Sequence, residues 1–373
     1  MNTLFDPIKL GDIELPNRII MAPLTRSRAG AERIANRLMA EYYAQRASAG
    51  LIVTEATAVT PMGVGYAHTP GIWSAEQVEG WKLTTRAVHD AGGRIFLQLW
   101  HVGRISDPRF LNGALPVAPS AVAAKGNVSL LRPPTPFVTP RALDRDEIPG
   151  VVEAYRRGAQ NAQLAGFDGV ELHGANGYLL DQFLQDGSNL RTDDYGGAIE
   201  NRARLMLEAT DAAIGVWGAS RVGVHLAPRG DSNSMGDSDP PRTFEYVARW
   251  LGERKIAFLC AREYTAPGHL GPRLKAAFGG VYIANERFTL ETAQHAVGAG
   301  EADAVAFGKL FLANPDLPQR FALRAPLNEP RPALFYTEGA EGYTDYARLA
   351  PDAQSPDLNN SHARVNARVS RVV

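Results

Sequence analysis

The chain has 373 residues, of which 45% are hydrophobic and 21% charged, a balance typical of globular proteins rather than of disordered chains. Its 39 Lys and Arg residues nearly cancel its 40 Asp and Glu residues, so no overall basic field favours a nucleic acid as partner. One cysteine, Cys260, excludes an intrachain disulfide and a cysteine-cluster metal site. No apolar run reaches the ~18 residues of a membrane span and residues 1–6 do not resemble a secretion signal, so we expect a cytoplasmic protein with no membrane partner.

Short apolar, β-branched runs alternate with stretches of helical spacing along the chain. Before the first of them, residues 8–15 predict a hairpin, because Gly11 and Asp12 separate two short apolar runs. The predicted strands are 19–23, 51–57, 94–99, 169–172, 222–226, 256–260, 280–283 and 304–307. The helices between them are predicted to begin near Ala35, Ala75, Pro149, Ile199, Pro240, Leu270, Thr289 and Asn314.

Eight strand–helix units in this order favour a closed parallel barrel over an open, doubly wound sheet. An open sheet of that kind usually has a glycine-rich phosphate turn after its first strand, and this chain has Ala22-Pro23-Leu24-Thr25-Arg26 there. We therefore predict an α/β fold, a single TIM (β/α)8 barrel over residues 1–349 with the N-terminal hairpin as a cap. Residues 101–148 form a long, proline-rich excursion after strand 3, which we expect to cover or shape the site. Residues 350–373 have little apolar periodicity and are expected to form a mobile tail.

In such a barrel, the active site lies where the carboxyl ends of the strands converge. The residues at these ends are polar and almost free of carboxylates, which argues against paired-acid glycoside hydrolysis. After the fourth strand, the spacing of His173, Asn176 and Tyr178 can bring an imidazole, an amide and a phenol to one place. The imidazole and the amide can donate hydrogen bonds to one substrate oxygen, and the phenol can protonate a basic carbon. The alternative from these residues alone is structural, with Tyr178 in packing and His173 bonded to the backbone.

The ends of the last two strands supply Asn285 and the pair Gly308-Lys309, where this fold usually binds phosphate. Glycine permits close backbone approach and lysine adds a positive charge.

Two other classes of enzyme are alternatives for a barrel with these residues at its mouth. A metal-dependent hydrolase could use His101, His173 and His225, although no closely spaced histidine pair supports it and we expect no metal. An aldolase or isomerase would need a Schiff-base lysine or a glutamate base at a strand end, and no strong candidate for either is found. Cys260 is expected to be a small core residue rather than a nucleophile.

Five longer stretches of the chain match motifs that are specific for one protein family. They are Met21-Ala-Pro-Leu-Thr25-Arg26, Leu97-Gln98-Leu-Trp100-His101, residues 171–184, Asn189-Leu-Arg191-Thr-Asp-Asp-Tyr-Gly-Gly197 and Ala340-Glu-Gly-Tyr-Thr-Asp345-Tyr346. Together they resemble the Old Yellow Enzyme family of flavin-dependent ene-reductases over residues 4–346. The chain is most similar to the bacterial branch that contains N-ethylmaleimide, nitrate-ester and enone reductases.

The resemblance implies tightly bound, non-covalent FMN at the barrel mouth, NADPH or NADH as reductant and a small activated alkene as substrate. The residues implied in cofactor binding are Pro23, Leu24, Thr25, Ala58 (by its backbone N–H), Gln98, His225, Asn285, Gly308 and Lys309. Those implied in substrate binding are Tyr66, Trp100, His173, Asn176 and Tyr336. Among the catalytic residues, His173 and Asn176 are implied to hold the carbonyl or nitro oxygen and Tyr178 to donate the proton. We expect a monomer or a small homo-oligomer.

Two positions depart from the family pattern. Many relatives have an arginine near flavin N1 where this chain has His225, a shorter residue without a fixed charge, so weaker stabilisation of the reduced flavin is expected. Lys309 replaces an arginine often found at the phosphate, which keeps the charge but loses the bidentate fork. Arg229 is a candidate to compensate for His225, and the short loop from Arg262 to Leu270 is expected to open the pocket.

Overall fold

Eight parallel strands close a barrel in the computed structural model, which describes residues 2–230 and 232–350. Over these residues the strands are β1 (Ile8–Leu10), β2 (Ile13–Leu15), β3 (Ile19–Met21), β4 (Leu51–Val53), β5 (Thr57–Ala58), β6 (Ile95–Trp100), β7 (Val117–Ala118), β8 (Arg141–Ala142), β9 (Gly169–Gly174), β10 (Val222–Leu226), β11 (Phe258–Arg262), β12 (Tyr282–Asn285) and β13 (Ala304–Phe307). The α-helices are α1 (Arg37–Ala44), α2 (Ala75–Asp90), α3 (Ile148–Leu164), α4 (Leu179–Leu184), α5 (Ile199–Trp217), α6 (Pro240–Glu253), α7 (Gly271–Phe278), α8 (Leu290–Gly298), α9 (Lys309–Ala313) and α10 (Leu317–Leu323).

The strand pairing confirms the predicted (β/α)8 barrel. Strands β3, β4, β6, β9, β10, β11, β12 and β13 pair in that order, all in parallel, and β13 pairs with β3 to complete the ring. Because all strands run the same way, their carboxyl ends form a single mouth.

The second strand differs from its prediction over residues 51–57. It is divided into β4 and β5, because the hydroxyls of Thr54 and Thr57 both donate to the carbonyl oxygen of Glu55 (3.0 Å each) and turn the backbone there. The last helix was predicted to begin near Asn314. Instead the short α9 ends before that residue and α10 begins at Leu317, since Pro315 lacks an N–H and Asn314 before it is extended. Strands β11 and β12 each begin two residues later than predicted.

The N-terminal hairpin closes the bottom of the barrel, as predicted. Its register pairs Leu10 with Ile13, and both side chains are buried in the same apolar cluster as Phe96 and Phe258 of the barrel strands. The interior is so tightly filled that a Cβ on Gly223 would lie 2.2 Å from the Phe258 ring. The lower half of the barrel is therefore a packed core, and only its upper end can bind a ligand.

The excursion after β6 contains the parallel pair β7–β8 and a turn in which Asn127 pairs with Pro136. Arg104, which is 1% exposed, donates to the carbonyl oxygens of Val122 (3.0 Å) and Asn233 (3.1 Å). These bonds tie the excursion to the loop that follows β10, on the side of the mouth.

The segment after α10 returns to the mouth and carries Tyr336. Arg26 donates to the carbonyl oxygens of Phe335 (3.0 Å) and Gly342 (2.6 Å), and the buried Tyr343 stacks on Tyr42 with ring centroids 4.0 Å apart. The Arg26 side chain, in the loop after β3, thus binds the backbone on both sides of Tyr336 and holds this residue at the mouth.

The described residues contain no helix that is both long and apolar enough to cross a membrane. The tail predicted for residues 350–373 lies, from residue 351 onward, outside the described residues. The division into a 1–349 domain and a tail therefore stays a prediction.

Glu55 is a buried carboxyl group beneath the returning segment. It is 1% exposed and accepts hydrogen bonds from the Arg26 N–H (3.0 Å) and the Tyr43 hydroxyl (3.4 Å). Burial raises the pKa of Glu55 to about 7, in spite of the opposing effect of the Arg26 N–H.

Glu55→Gln is expected to change how stability depends on pH. The folded protein keeps the Glu55 proton up to about pH 7, whereas the unfolded chain releases it near 4.5, so the free energy of unfolding falls as pH rises through this window. Glutamine does not titrate, so the variant lacks this decrease in the free energy of unfolding, which amounts to about 3 kcal/mol. Urea unfolding of both proteins at pH 4.5 and 7.5 measures the decrease in each. Asp181, whose pKa burial also raises to about 7, is present in both proteins and cancels. An equal pH dependence of the two proteins would contradict the raised pKa of Glu55.

Candidate active site

A cavity of about 650 Å³ opens at the carboxyl ends of the barrel strands. Of the residues predicted from the sequence, those that line it are Pro23, Leu24, Thr25, Gln98, Trp100, His173, Asn176, Tyr178, His225, Asn285, Gly308, Lys309 and Tyr336. An adjoining cavity of about 610 Å³ shares Thr25, Tyr178 and Tyr336 and is lined further by Tyr66 and by excursion residues between Asn127 and Pro134. The excursion therefore forms a wall of the same mouth.

Ala58 does not lie where the resemblance implied. It is fully buried in β5, and its backbone N–H already donates to the carbonyl oxygen of Pro70 (3.0 Å), so it does not offer that N–H to a cofactor. Ala56 lines the cavity instead, because the break between β4 and β5 brings that stretch to the mouth.

Several other lining residues were assigned no role from the sequence. They are Ala22, Arg262, Glu286, Arg287, Phe288, Ala306, Phe307 and Leu310. Arg262 ends β11, and the rule that strand ends carry the site placed it at the mouth, although no role was assigned to it. The residues after Asn285 gave no such signal, since they lie in the loop beyond the strand end.

Four rings form a row across the mouth. His225, His173, Trp100 and Tyr66 follow one another with centroids 6.0, 6.2 and 5.5 Å apart and interplanar angles of 14°, 20° and 21°. Tyr178 stands edge-on to this row, 4.9 Å from both Trp100 and His173. The phenol and the imidazole that the spacing predicted to act together are therefore direct neighbours.

His173 is a neutral hydrogen-bond donor. Its Nδ1 accepts a hydrogen bond from the Ala175 N–H (3.3 Å), so the single proton of the neutral ring is carried by Nε2. Burial, and after it the neighbouring His225, holds the pKa of His173 well below its usual value. Nε2 therefore donates without the ring becoming a cation at neutral pH.

Asn176 supplies a second donor. Its backbone is left-handed (φ 58°), which asparagine tolerates, and its Oδ1 accepts a hydrogen bond from Nη1 of Arg262 (2.8 Å). With the oxygen engaged, Nδ2 is the end of the amide left for a ligand. The turn is held by the N–H of Gly177, which donates to Oδ2 of Asp181 (2.8 Å). His173 and Asn176 thus offer two donors from one braced segment.

Tyr178 keeps its proton at neutral pH. Its hydroxyl lies 2.9 Å from the hydroxyl of Tyr66. Burial, and after it the nearby Tyr66, raises the pKa of Tyr178 well above its usual value, and burial raises the pKa of Tyr66 to about 12. Tyr178 is therefore an acid with a single proton to give, next to a hydroxyl that can hydrogen-bond the phenolate.

The polar groups beside β6, β9 and β10 fit the pyrimidine edge of a flavin. Nε2 of Gln98 donates to Oε1 of Glu171 (2.7 Å), which leaves the Gln98 carbonyl oxygen as an acceptor for an N–H such as flavin N3–H. Neither ring nitrogen of His225 makes a hydrogen bond within the described structure, although this residue is only 3% exposed and its Nδ1 lies 3.5 Å from Oε1 of Glu171. A buried imidazole needs a partner, and the N1 and carbonyl O2 acceptors of a flavin provide one.

On the side of β12 and β13, the same cavity is lined by Asn285, Arg287, Gly308 and Lys309. The two cationic side chains supply the charge that a phosphate requires, so both ends of the cavity suit FMN.

Arg229, the candidate to compensate for His225, is engaged elsewhere. Its Nε lies 2.5 Å from Oε1 of Glu263, and its Nη2 donates to the carbonyl oxygen of Tyr264 (3.0 Å), away from the cavity lining. Glu263 also accepts from the N–H of Leu270 (2.8 Å) and so holds the short loop after β11 to the start of α7.

The three histidines of the hydrolase alternative do not form a set of metal ligands. His101 lies outside the cavity lining, its Nδ1 accepts from the Gly103 N–H (3.1 Å), and burial lowers its pKa to about 3. Within residues 2–230 and 232–350, three possible ligand atoms approach within 4.8 Å only in Glu171, His225 and Cys260. Burial raises the pKa of the Cys260 thiol well above its usual value, as expected of a core cysteine. The geometry does not support the hydrolase.

Comparison with known proteins identifies the family of the chain. The model of the NADH:flavin oxidoreductase / NADH oxidase family matches residues 3–328. A probable flavin mononucleotide-dependent alkene reductase of Leishmania infantum is 43% identical over 355 residues, which cover 93% of this chain and 97% of that protein. The 12-oxophytodienoate reductase 1 of Oryza sativa subsp. japonica is 43% identical over 360 residues and 93% of each chain.

Solved structures extend the similarity to the fold. Morphinone reductase in complex with tetrahydroNAD is 48% identical, with a TM-score of 0.92 over 95% of this chain and 100% of that chain. The Old Yellow Enzyme homologue from Zymomonas mobilis is 46% identical, with a TM-score of 0.91 over 93% of this chain and 100% of that chain. The chain therefore belongs to the NADH:flavin oxidoreductase / NADH oxidase family and is an FMN-dependent oxidoreductase of the Old Yellow Enzyme type.

Proposed function

We propose that this protein reduces C=C bonds conjugated to a carbonyl or nitro group, as in enones, maleimides and nitroalkenes, at the expense of NADH or NADPH. The observation that carries the proposal is the pair of braced donors, His173 Nε2 and Asn176 Nδ2, beside the Tyr178 hydroxyl. Two preorganised donors stabilise the negative charge that develops on a carbonyl or nitro oxygen when hydride adds to the conjugated carbon. The names of the relatives, an alkene reductase and a 12-oxophytodienoate reductase, agree with this substrate class.

FMN, when bound, supplies the redox chemistry by accepting a hydride from the nicotinamide and passing a hydride to the β-carbon of the alkene. The residues that would hold it are Pro23, Leu24, Thr25, Ala56, Gln98, His225, Asn285, Gly308 and Lys309.

The chain's own residues complete the reduction. His173 and Asn176 hold the substrate oxygen through the build-up of charge, and Tyr178 gives its proton to the α-carbon. One hydride and one proton have then been added across the double bond, and the Tyr66 hydroxyl hydrogen-bonds the Tyr178 phenolate until solvent restores its proton.

The shape of the pocket comes from aromatic side chains. Tyr66, Trp100 and Tyr336 border the space next to Tyr178, and the excursion residues from Asn127 to Pro134 form its outer wall. Flat, conjugated molecules fit between such walls. The cytoplasmic setting and the monomeric or small homo-oligomeric state stay predictions from the sequence.

The test is the visible absorption spectrum of the purified protein without oxygen. We expect a flavin spectrum that is lost on adding NADPH or NADH and returns on adding one equivalent of cyclohex-2-enone or N-ethylmaleimide per flavin. Cyclohexanone, which lacks the double bond, is the control and is expected to leave the flavin reduced. A flavin that is reduced by the nicotinamide but restored by none of these alkenes would contradict the proposed substrate class.

A further inference from the structure

Arg262 links Asn176, in the turn after β9, to Glu286, in the loop after β12. Its Nη1 donates to Oδ1 of Asn176 (2.8 Å), while its Nε and Nη2 contact the two carboxylate oxygens of Glu286 at 2.9 and 3.2 Å. All three side chains line the cavity. A guanidinium held on two edges in this way has little freedom to turn.

The contact decides which end of the Asn176 amide faces a ligand. If the amide were flipped, its NH₂ group would face the N–H of Arg262, donor against donor. The backbone cannot easily compensate, because the carbonyl oxygen of Asn176 accepts a hydrogen bond from Asn233 (2.8 Å) and its φ is 58°. The guanidinium therefore selects the orientation in which Nδ2 is free to donate.

Glu286 contacts Arg262 through both of its carboxylate oxygens. Its side chain is 21% exposed, and its backbone has φ 99°, a conformation that a non-glycine residue adopts only at a cost. Asn285, the residue before Glu286, pairs with Arg262 in the β11–β12 register. This pairing brings the side chains of Arg262 and Glu286 together. The carboxylate neutralises most of the guanidinium charge, so Arg262 is poorly suited to bind an anion by itself.

We propose that Arg262, anchored by Glu286, is a positioning residue that sets Asn176 as a hydrogen-bond donor to the substrate oxygen. The inference rests on the proposed function, since it assigns the oxygen-holding role to Asn176. It predicts that Arg262 affects ligands through Asn176 and not by direct contact.

The test is a double-mutant cycle on the FMN-loaded protein, with Arg262→Met, Asn176→Ala and the double variant. The readout is the dissociation constant of 4-chlorophenol, a planar probe with one oxygen, measured by the change in the visible spectrum that we expect when the phenol stacks on the flavin. We expect Arg262→Met to weaken binding about tenfold in the wild-type background and less than twofold in the Asn176→Ala background, as for coupled neighbours. Arg262→Lys keeps a charged donor without the fork, and Glu286→Gln keeps the fork without the charged anchor. Both are expected to fall between wild type and Arg262→Met.

The possible outcomes separate the two proposals. Equal losses in both backgrounds would show that Arg262 acts on the ligand directly and would overturn the inference alone. No response of the wild-type flavin to the phenol would overturn the oxygen site and the inference together. For cyclohex-2-enone, a positioning role predicts that Arg262→Met raises KM and lowers kcat with unchanged flavin content, because Nδ2 binds the substrate oxygen and binds it more strongly as negative charge develops there.

Discussion

Replacing Tyr178 with phenylalanine is expected to slow alkene reduction by about 10²- to 10⁴-fold, the range of general acid catalysis, while NADPH or NADH still reduces the flavin at a near wild-type rate. The physical reason is that, in the proposed mechanism, the hydroxyl supplies a proton only in the second half of the reaction. Rapid-mixing absorbance at the flavin band measures the two half-reactions separately.

Tyr66→Phe is the matched control for this prediction. It removes the hydroxyl 2.9 Å from that of Tyr178 but leaves the proton donor in place, so we expect a loss of about tenfold or less. If Tyr178→Phe slowed flavin reduction and alkene reduction to the same extent, its hydroxyl would be a binding or packing group and not the acid.

His173→Ala is expected to lower kcat/KM for cyclohex-2-enone by about 10²- to 10³-fold, the typical loss on removing one preorganised donor to a developing oxyanion. The effect is large because His173 is buried and neutral, so its Nε2–H contributes in a region with little competing water. The dissociation constant of 4-chlorophenol is expected to rise in the same variant, which separates loss of the oxygen site from loss of flavin.

His101→Asn tests the competing metal site at the same time. Asparagine can accept the Gly103 N–H in place of the His101 Nδ1, so the fold is preserved and alkene reduction is expected to stay within about threefold of wild type. A loss as large as that of His173→Ala would mean that the two histidines act together, which the proposed mechanism does not allow.

The order of strands and helices could be predicted because it depends on local pattern. Buried strands of a parallel barrel are short apolar runs, and the eight runs and their helices leave few other topologies. His173, Asn176 and Tyr178 were found for the same reason, since they lie within six residues at the end of one strand. The position of Ala58 was predicted wrongly because the second strand is interrupted before it. The hydroxyls of Thr54 and Thr57 cause this break through hydrogen bonds, which the hydropathy pattern does not show.

The sequence by itself thus determined the barrel, the mouth as the place of the cavity and most of the residue types that line it. Only the tertiary structure decided how those residues are held. Arg262 meets Asn176 from 86 residues away and Glu286 from 24, and the burial that keeps His173 neutral and Tyr178 protonated comes from side chains of several strands. Spacing along a chain records what is near in sequence, whereas tautomers, amide orientation and pKa depend on neighbours that meet only when the barrel closes.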